Sequence, residues 1–151
     1  MRNLVLQNPS PLDAEKKFHV SSAHDRMKIL YLIIGDLLAI AILTFIGFAT
    51  HDEADIAFLP RMAAFYFPLA IAWFMLAPAL GLFQREITSE LKQLWRPALT
   101  ALFAGPLAAV LRGFLLNAPV IPIFAAVLAA TAALGMVIWR ALYLLWSRKS
   151  A

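Results

Sequence analysis

The chain has 151 residues, of which 62% are hydrophobic and 15% are charged, and it contains no cysteine. Soluble domains are nearer half apolar and a quarter charged, so this composition is typical of a membrane protein. The lack of cysteine excludes disulfides, thiolate metal sites and cysteine nucleophiles. The net charge of +4 lies mainly in the tails and one polar loop. That distribution predicts membrane orientation, and we expect no binding to nucleic acid.

Four apolar segments are each long enough to cross a bilayer as an α-helix, which takes about 20 residues. The first contains one carboxylate, Asp36, and the second contains Pro68 and Pro78, each of which is expected to bend the helix. The sequence predicts an all-α fold, a four-transmembrane-helix bundle over residues 26–147, with an amino-terminal tail over 1–25. The predicted spans are residues 27–50, 61–83, 97–116 and 119–146, followed by a short tail over 148–151.

The connections between the spans differ in charge. Residues 50–60 are acidic, residues 84–96 are strongly polar, and residues 117–119 form a tight turn. Lysine and arginine cluster in residues 1–28, in the polar connection and at the carboxy terminus. The positive-inside rule places such segments in the cytoplasm. We therefore expect both termini to be cytoplasmic, in a multi-pass protein of the cytoplasmic (inner) membrane.

Three charged residues lie well inside the predicted spans, away from their ends, namely Asp36, Arg112 and Arg140. At about 1.5 Å per helical residue, Asp36 lies about 12 Å from the cytoplasmic edge, counted from Lys28. Arg140 lies at the same depth, counted from Arg148, whereas Arg112 lies about 8 Å from the opposite edge. We therefore predict an ion pair between Asp36 and Arg140 that joins the first and fourth helices. Such a pair either fixes helix packing or serves a transport pathway.

A second group of polar residues lies near the outer edge. His51 and the acids that follow it, beginning with Asp52, are close in depth to Arg112. If the first and third helices are neighbours, His51, Asp52 and Arg112 form an outer-face cluster. The alternative is a solvated acidic loop, with the long arginine side chain reaching the membrane surface on its own.

The sequence lacks the motifs of several kinds of chemistry. No histidine lies inside a predicted span, which argues against a haem held between helices by two histidines. No histidine–carboxylate group has metal-ligand spacing, and no glycine-rich phosphate loop is present. We therefore expect a protein without enzymatic activity, and the sequence identifies no cofactor and no metal site.

Short motifs in a fixed order resemble those of a known family. They are Gly35-Asp36, Ile46-Gly47 with His51, Pro68, Trp73, Leu111-Arg112-Gly113 and Trp139-Arg140. Over about residues 28–146 the chain resembles the prokaryotic membrane family catalogued as domain of unknown function 3054. The resemblance implies a small multi-span membrane protein, and it places Asp36, His51, Arg112 and Arg140 at the family's characteristic positions. It implies no activity.

Three functions fit these observations. The first, which we favour from the sequence, is a small membrane or accessory subunit without enzymatic activity. Beyond the lipid bilayer, its partners would be copies of itself or a larger membrane complex. The second is a small transporter or proton-coupled carrier that uses Asp36 and Arg140. The third is a membrane subunit that binds an apolar ligand or a pigment.

Overall fold

A computed structural model describes residues 11–53, 55–84, 87 and 90–149, with side chains from residue 26 onward. The remainder of the predicted tails, residues 1–10 and 150–151, lies outside the described residues. Within the described residues every regular element is helical, so the predicted all-α class is confirmed. The helices are α1 (Pro11–Ala49), α2 (Leu59–Leu76), α3 (Trp95–Leu116) and α4 (Pro122–Lys149), with short 3-10 turns at Ile56–Phe58 and Leu91–Gln93.

Among the described residues, four segments are long and apolar enough to cross a membrane, as the sequence predicts. They are Arg26–Ala49, Ile56–Leu76, Leu91–Leu116 and Pro122–Lys149. α1 begins at Pro11, inside the segment predicted as a tail. Proline suits the first position of a helix, because the N–H it lacks would have no helical partner there. The chain divides into two compact units, residues 1–33 and 34–151, and all contacts described below lie within the second.

α2 is shorter than the predicted span over residues 61–83. It ends at Leu76, because Pro78 lacks the N–H that would continue the helical ladder. Pro68, by contrast, is accommodated inside α2. After Leu76 the chain turns, and Gly81 adopts a left-handed φ of 69°, which glycine takes without a steric penalty. The prediction that Pro78 bends a continuing helix is therefore wrong.

The irregular segment that follows α2, residues 77–84, presents backbone carbonyls to arginine side chains. A terminal nitrogen of Arg96 donates to the carbonyl oxygen of Leu80 at 3.0 Å. A terminal nitrogen of Arg140 donates to the carbonyl oxygen of Leu82 at 2.8 Å. Irregular backbone at membrane depth is tolerated only where protein or water satisfies its polar groups. The two arginines supply part of that requirement here.

The connection between α3 and α4 also departs from the predicted boundaries. α3 ends at Leu116, and Asn117 caps it with a left-handed φ of 48°. α4 begins at Pro122, not at residue 119. A residue that precedes proline is biased away from the helical conformation, which keeps Ile121 outside the helix. Residues 118–121 therefore form a non-helical link rather than the first turn of α4.

Small residues bring α3 and α4 close together. A Cβ atom added to Gly105 on α3 would lie 2.5 Å from the Cα atom of Ala129 on α4. Ala101, Ala104 and Ala108 on α3 are also buried. Small side chains let membrane helices approach closely, so this contact is held by van der Waals packing.

The two glycines Gly105 and Gly47 provide a matched test of this packing. We expect Gly105→Ala to lower the free energy of unfolding by about 1–3 kcal/mol, since the new methyl group overlaps the backbone of Ala129. An added Cβ at Gly47 meets nothing within 4 Å. Gly47→Ala should therefore be neutral or stabilising by up to about 1 kcal/mol. Unfolding of both variants in one detergent measures the difference, and equal stability would contradict the close approach of α3 and α4.

Candidate functional site

Asp36 on α1 has no exposed surface, and both of its carboxylate oxygens accept hydrogen bonds. Its Oδ1 accepts from Nε1 of Trp139 at 2.9 Å and from Nε of Arg140 at 3.0 Å. Its Oδ2 accepts from Nε1 of Trp73 at 3.0 Å and from a terminal nitrogen of Arg140 at 2.5 Å. A carboxylate offers about four acceptor positions, so this one is fully occupied. The structure thus brings the two members of the predicted ion pair together.

Arg140 is buried on α4 and uses all three of its nitrogens. Two of them donate to Asp36 in a bidentate pair, the arrangement in which guanidinium and carboxylate bind most strongly. The third donates to the carbonyl oxygen of Leu82. The guanidinium carbon also lies 5.6 Å from the centroid of the Phe83 ring. The arginine therefore ties α1 and α4 to the irregular segment that follows α2.

The residue next to Asp36 makes room for one of its partners. A side chain at Gly35 would overlap the indole ring of Trp139. With glycine at this position, the ring approaches α1 and its N–H reaches the carboxylate. The Gly35-Asp36 and Trp139-Arg140 pairs in the sequence are thus one contact surface between α1 and α4.

The network around Asp36, which we call the Asp36 network, consists of Asp36, Trp73, Trp139, Arg140 and the carbonyl of Leu82. It joins α1, α2 and α4. Breaking a buried ion pair leaves an uncompensated charge, which is strongly destabilising. Every acceptor position of the carboxylate is filled, and it has no exposed surface. This geometry favours a structural role over a proton relay.

Sequence reasoning identified the charged members of the Asp36 network and missed its indoles. The signal available was chemical, because a buried tryptophan N–H needs an acceptor and acceptors are rare in apolar helices. Trp73 is almost fully buried, at 1% exposure. The hydrogen bond to the Leu82 carbonyl could not be predicted from the sequence, because it depends on where α2 ends.

The predicted outer cluster is only partly assembled. His51 and Arg112 line the same cleft, but Asp52 is exposed in a turn with a φ of 57°. Among the residues that the structure describes, Arg112 makes no hydrogen bond or ion pair with either of them. Its guanidinium carbon lies instead 4.2 Å from the centroid of the Phe65 ring. The aromatic contact takes the place of the expected carboxylate.

The acid that does form an outer ion pair is Glu53. Its Oε1 lies 2.9 Å from a terminal nitrogen of Arg61. The arginine side chain is largely exposed, so this pair contributes little to stability. Among the described residues, Glu53 thus pairs with Arg61 and not with Arg112.

A cleft of about 900 Å³ occupies this end of the second unit. It extends from the end of α1 and the start of α2 to the amino-terminal half of α4. Its wall is mainly apolar, and Arg112 is one of the residues that line it. The apolar lining includes Leu43, Phe65, Leu69, Phe124, Leu128 and Ile138. The sequence did not predict this cleft, because it depends on how the helices pack.

Residues 33–143 match the family described as "Protein of unknown function (DUF3054)". The chain belongs to this family. The predicted resemblance is thus confirmed, and the match includes Asp36, His51, Arg112 and Arg140. Comparisons with curated proteins and with solved structures found no match.

The described residues offer little for metal chemistry. Among them no group of three histidine or carboxylate side chains is arranged to hold a metal ion. The candidate sites among the described residues are the Asp36 network and the cleft that contains Arg112.

A double-mutant cycle tests whether Asp36 and Arg140 depend on each other. Asp36→Asn should lower the free energy of unfolding by about 3–5 kcal/mol, because it leaves the arginine buried without its counter-charge. Asp36→Asn combined with Arg140→Gln should recover roughly half of that loss, because no charge remains buried. The measurement is unfolding of the detergent-solubilised protein.

Glu53→Gln is the control for this cycle, because it breaks an exposed ion pair. We expect it to cost less than about 1 kcal/mol. A double variant no more stable than Asp36→Asn alone would show that the two charges are not coupled.

Proposed function

We propose that this multi-pass membrane protein has no enzymatic activity and that it binds a ligand with a long apolar chain in its cleft. The observation that carries the proposal is the cleft itself. Ligand sites in proteins are typically concave and mostly apolar, with about 300–1,000 Å³ of space and a few polar groups that orient the ligand. A volume of about 900 Å³ and a predominantly apolar wall match that description.

The polar groups in the cleft are few and lie towards one end. Arg112 and His51 lie near the ends of α3 and α1, next to the Glu53–Arg61 pair. Further along α4 the wall is almost entirely aliphatic, apart from Thr131. The Thr131 hydroxyl donates to backbone carbonyls of its own helix. A ligand with one polar end and one apolar end fits this division.

The Asp36 network supports the proposal by fixing the helices that bound the cleft. Ligand sites work best on rigid elements whose positions are locked by packing and hydrogen bonds. α1 and α4 are joined at Asp36 and Arg140, and both helices extend from that point to the cleft. The alternative of a proton-coupled carrier gains no support from a carboxylate whose acceptor positions are all filled.

The remainder of the proposal concerns location and assembly. The charge distribution supports an inner-membrane protein with both termini in the cytoplasm. A small ligand-binding protein of this kind would act as an accessory subunit, through self-association or within a larger membrane complex. A reporter fused to the carboxy terminus should be active only on the cytoplasmic side, and activity on the outer side would contradict this orientation.

Native mass spectrometry of the gently solubilised protein tests ligand binding. We expect a small amphiphilic molecule to remain bound to the unaltered protein. Thr131→Trp should remove it, because the indole would fill the cleft. Ala130→Trp is the matched control, since Ala130 is the exposed neighbour of Thr131 on α4 and lies outside the cleft wall.

Together the two variants test whether the bound molecule lies in the cleft. Retention in Ala130→Trp together with loss in Thr131→Trp supports a ligand in the cleft. An unaltered protein with nothing bound, or equal retention in both variants, would contradict it. Loss in both variants would point to general damage to α4 and would also count against the cleft as the binding site.

A further inference from the structure

Within the described part of the chain, Arg112 is a cation that makes no hydrogen bond or ion pair. Its Nε has no exposed surface and no hydrogen-bond partner within the described part of the chain. Its guanidinium carbon lies 4.2 Å from the centroid of Phe65 and 5.8 Å from that of Phe124. The faces of the two rings attract the cation, but they offer no lone pairs to its N–H groups. The side chain is therefore held in place with its donors unfilled.

The surrounding charges do not neutralise Arg112. Glu53 lines the same cleft but pairs with Arg61 at 2.9 Å, so these two charges cancel each other. Asp52 is exposed outside the cleft wall. The charged side chains that line the cleft, Glu53, Arg61 and Arg112, therefore sum to one positive charge. Such a site favours an anion over a neutral or cationic group.

The geometry of the Arg112 guanidinium indicates which anions it would bind. Its planar fork of N–H groups matches the paired oxygens of a carboxylate or a phosphate. A buried, unpartnered donor is costly, and an oxyanion at this position would satisfy it.

The apolar part of the cleft is long enough to hold an aliphatic chain. The side chains of α4 that line it extend from Phe124 to Ile138, which is about 21 Å at about 1.5 Å per residue. Half of a bilayer's hydrocarbon core is about 15 Å thick. The groove along α4 is thus long enough for an aliphatic chain that spans half of the hydrocarbon core, and its lining includes Leu128 and Leu134.

The geometry points to a membrane amphiphile with one anionic headgroup, a carboxylate or a phosphate, as the occupant of the cleft. The headgroup pairs with Arg112, and the aliphatic chain lies along α4 towards Ile138. This inference rests on the proposed function, since it specifies the ligand class of the same cleft. It adds that Arg112 selects the ligand by charge.

Binding of spin-labelled probes to the full-length protein in phosphatidylcholine nanodiscs tests the inference. The probes are a long-chain carboxylate, its methyl ester and a phosphate monoester with the same chain, at pH 9, where the acids are ionised. We expect the two anionic probes to bind about tenfold tighter than the ester, as a charge-assisted hydrogen bond requires. Comparing the two anions identifies the preferred headgroup, and either preference supports the inference.

Variants assign the selectivity to one side chain. Arg112→Gln should bring the anionic probes to the affinity of the ester, and Arg112→Lys should retain part of the preference, because it keeps the charge. The control Lys92→Gln removes one positive charge from an exposed side chain outside the cleft wall, and it should leave selectivity intact. If Arg112→Gln does not fold, the acid–ester comparison in the unaltered protein still decides the question.

The outcomes distinguish this inference from the function on which it rests. If no probe binds, both fail. If acid and ester bind equally, or if Arg112→Gln leaves the preference unchanged, the cleft holds apolar chains but Arg112 does not select them, and only the inference fails. Displacement of the acid by millimolar inorganic phosphate would indicate a free-anion site and would overturn the assignment to an amphiphile.

Discussion

The packing of the helices depends on the donors that surround one buried charge, the carboxylate of Asp36. Removing an ion from water costs several kcal/mol even after the protein has relaxed, so a buried carboxylate persists only where donors surround it. Those donors come from Trp73 on α2 and from Trp139 and Arg140 on α4. A shift of any of these helices by one turn would separate donor from acceptor. The charge therefore sets the register of three helices at once.

The same interaction connects the ordered interior to the irregular segment after α2. Arg140 holds the Leu82 carbonyl with the nitrogen that Asp36 does not use, and Arg96 holds the Leu80 carbonyl. One end of the helices is thus closed by charge and hydrogen bonds. The other end has an apolar cleft, where Arg112 makes no hydrogen bond to any residue that the structure describes. This asymmetry supports our proposal that the buried carboxylate has a structural role and that Arg112 recognises a ligand.

The sequence predicted best the contacts of residues whose burial costs the most free energy, which are the charged residues inside apolar spans. Charges are rare in apolar spans, so a count of depth along the helices was enough to match Asp36 with Arg140. The helix boundaries were less accessible. Pro68 and Pro78 are the same residue type, yet α2 continues through the first and ends before the second, which is followed by a turn with Gly81. The indole donors and the cleft depend on tertiary packing, which no local pattern encodes.

The most direct test of the central claim is the distance between α1 and α4, measured by cross-linking. The chain has no cysteine, and an added Cβ at Gly135 would overlap the side chain of Leu43, so Leu43→Cys with Gly135→Cys should be close enough for a disulfide. Ile42→Cys with Gly135→Cys is the control, because Ile42 is largely exposed. We expect the first pair alone to cross-link in membranes, and less so when Asp36→Asn is added. No cross-link, or a yield unaffected by Asp36→Asn, would contradict the account.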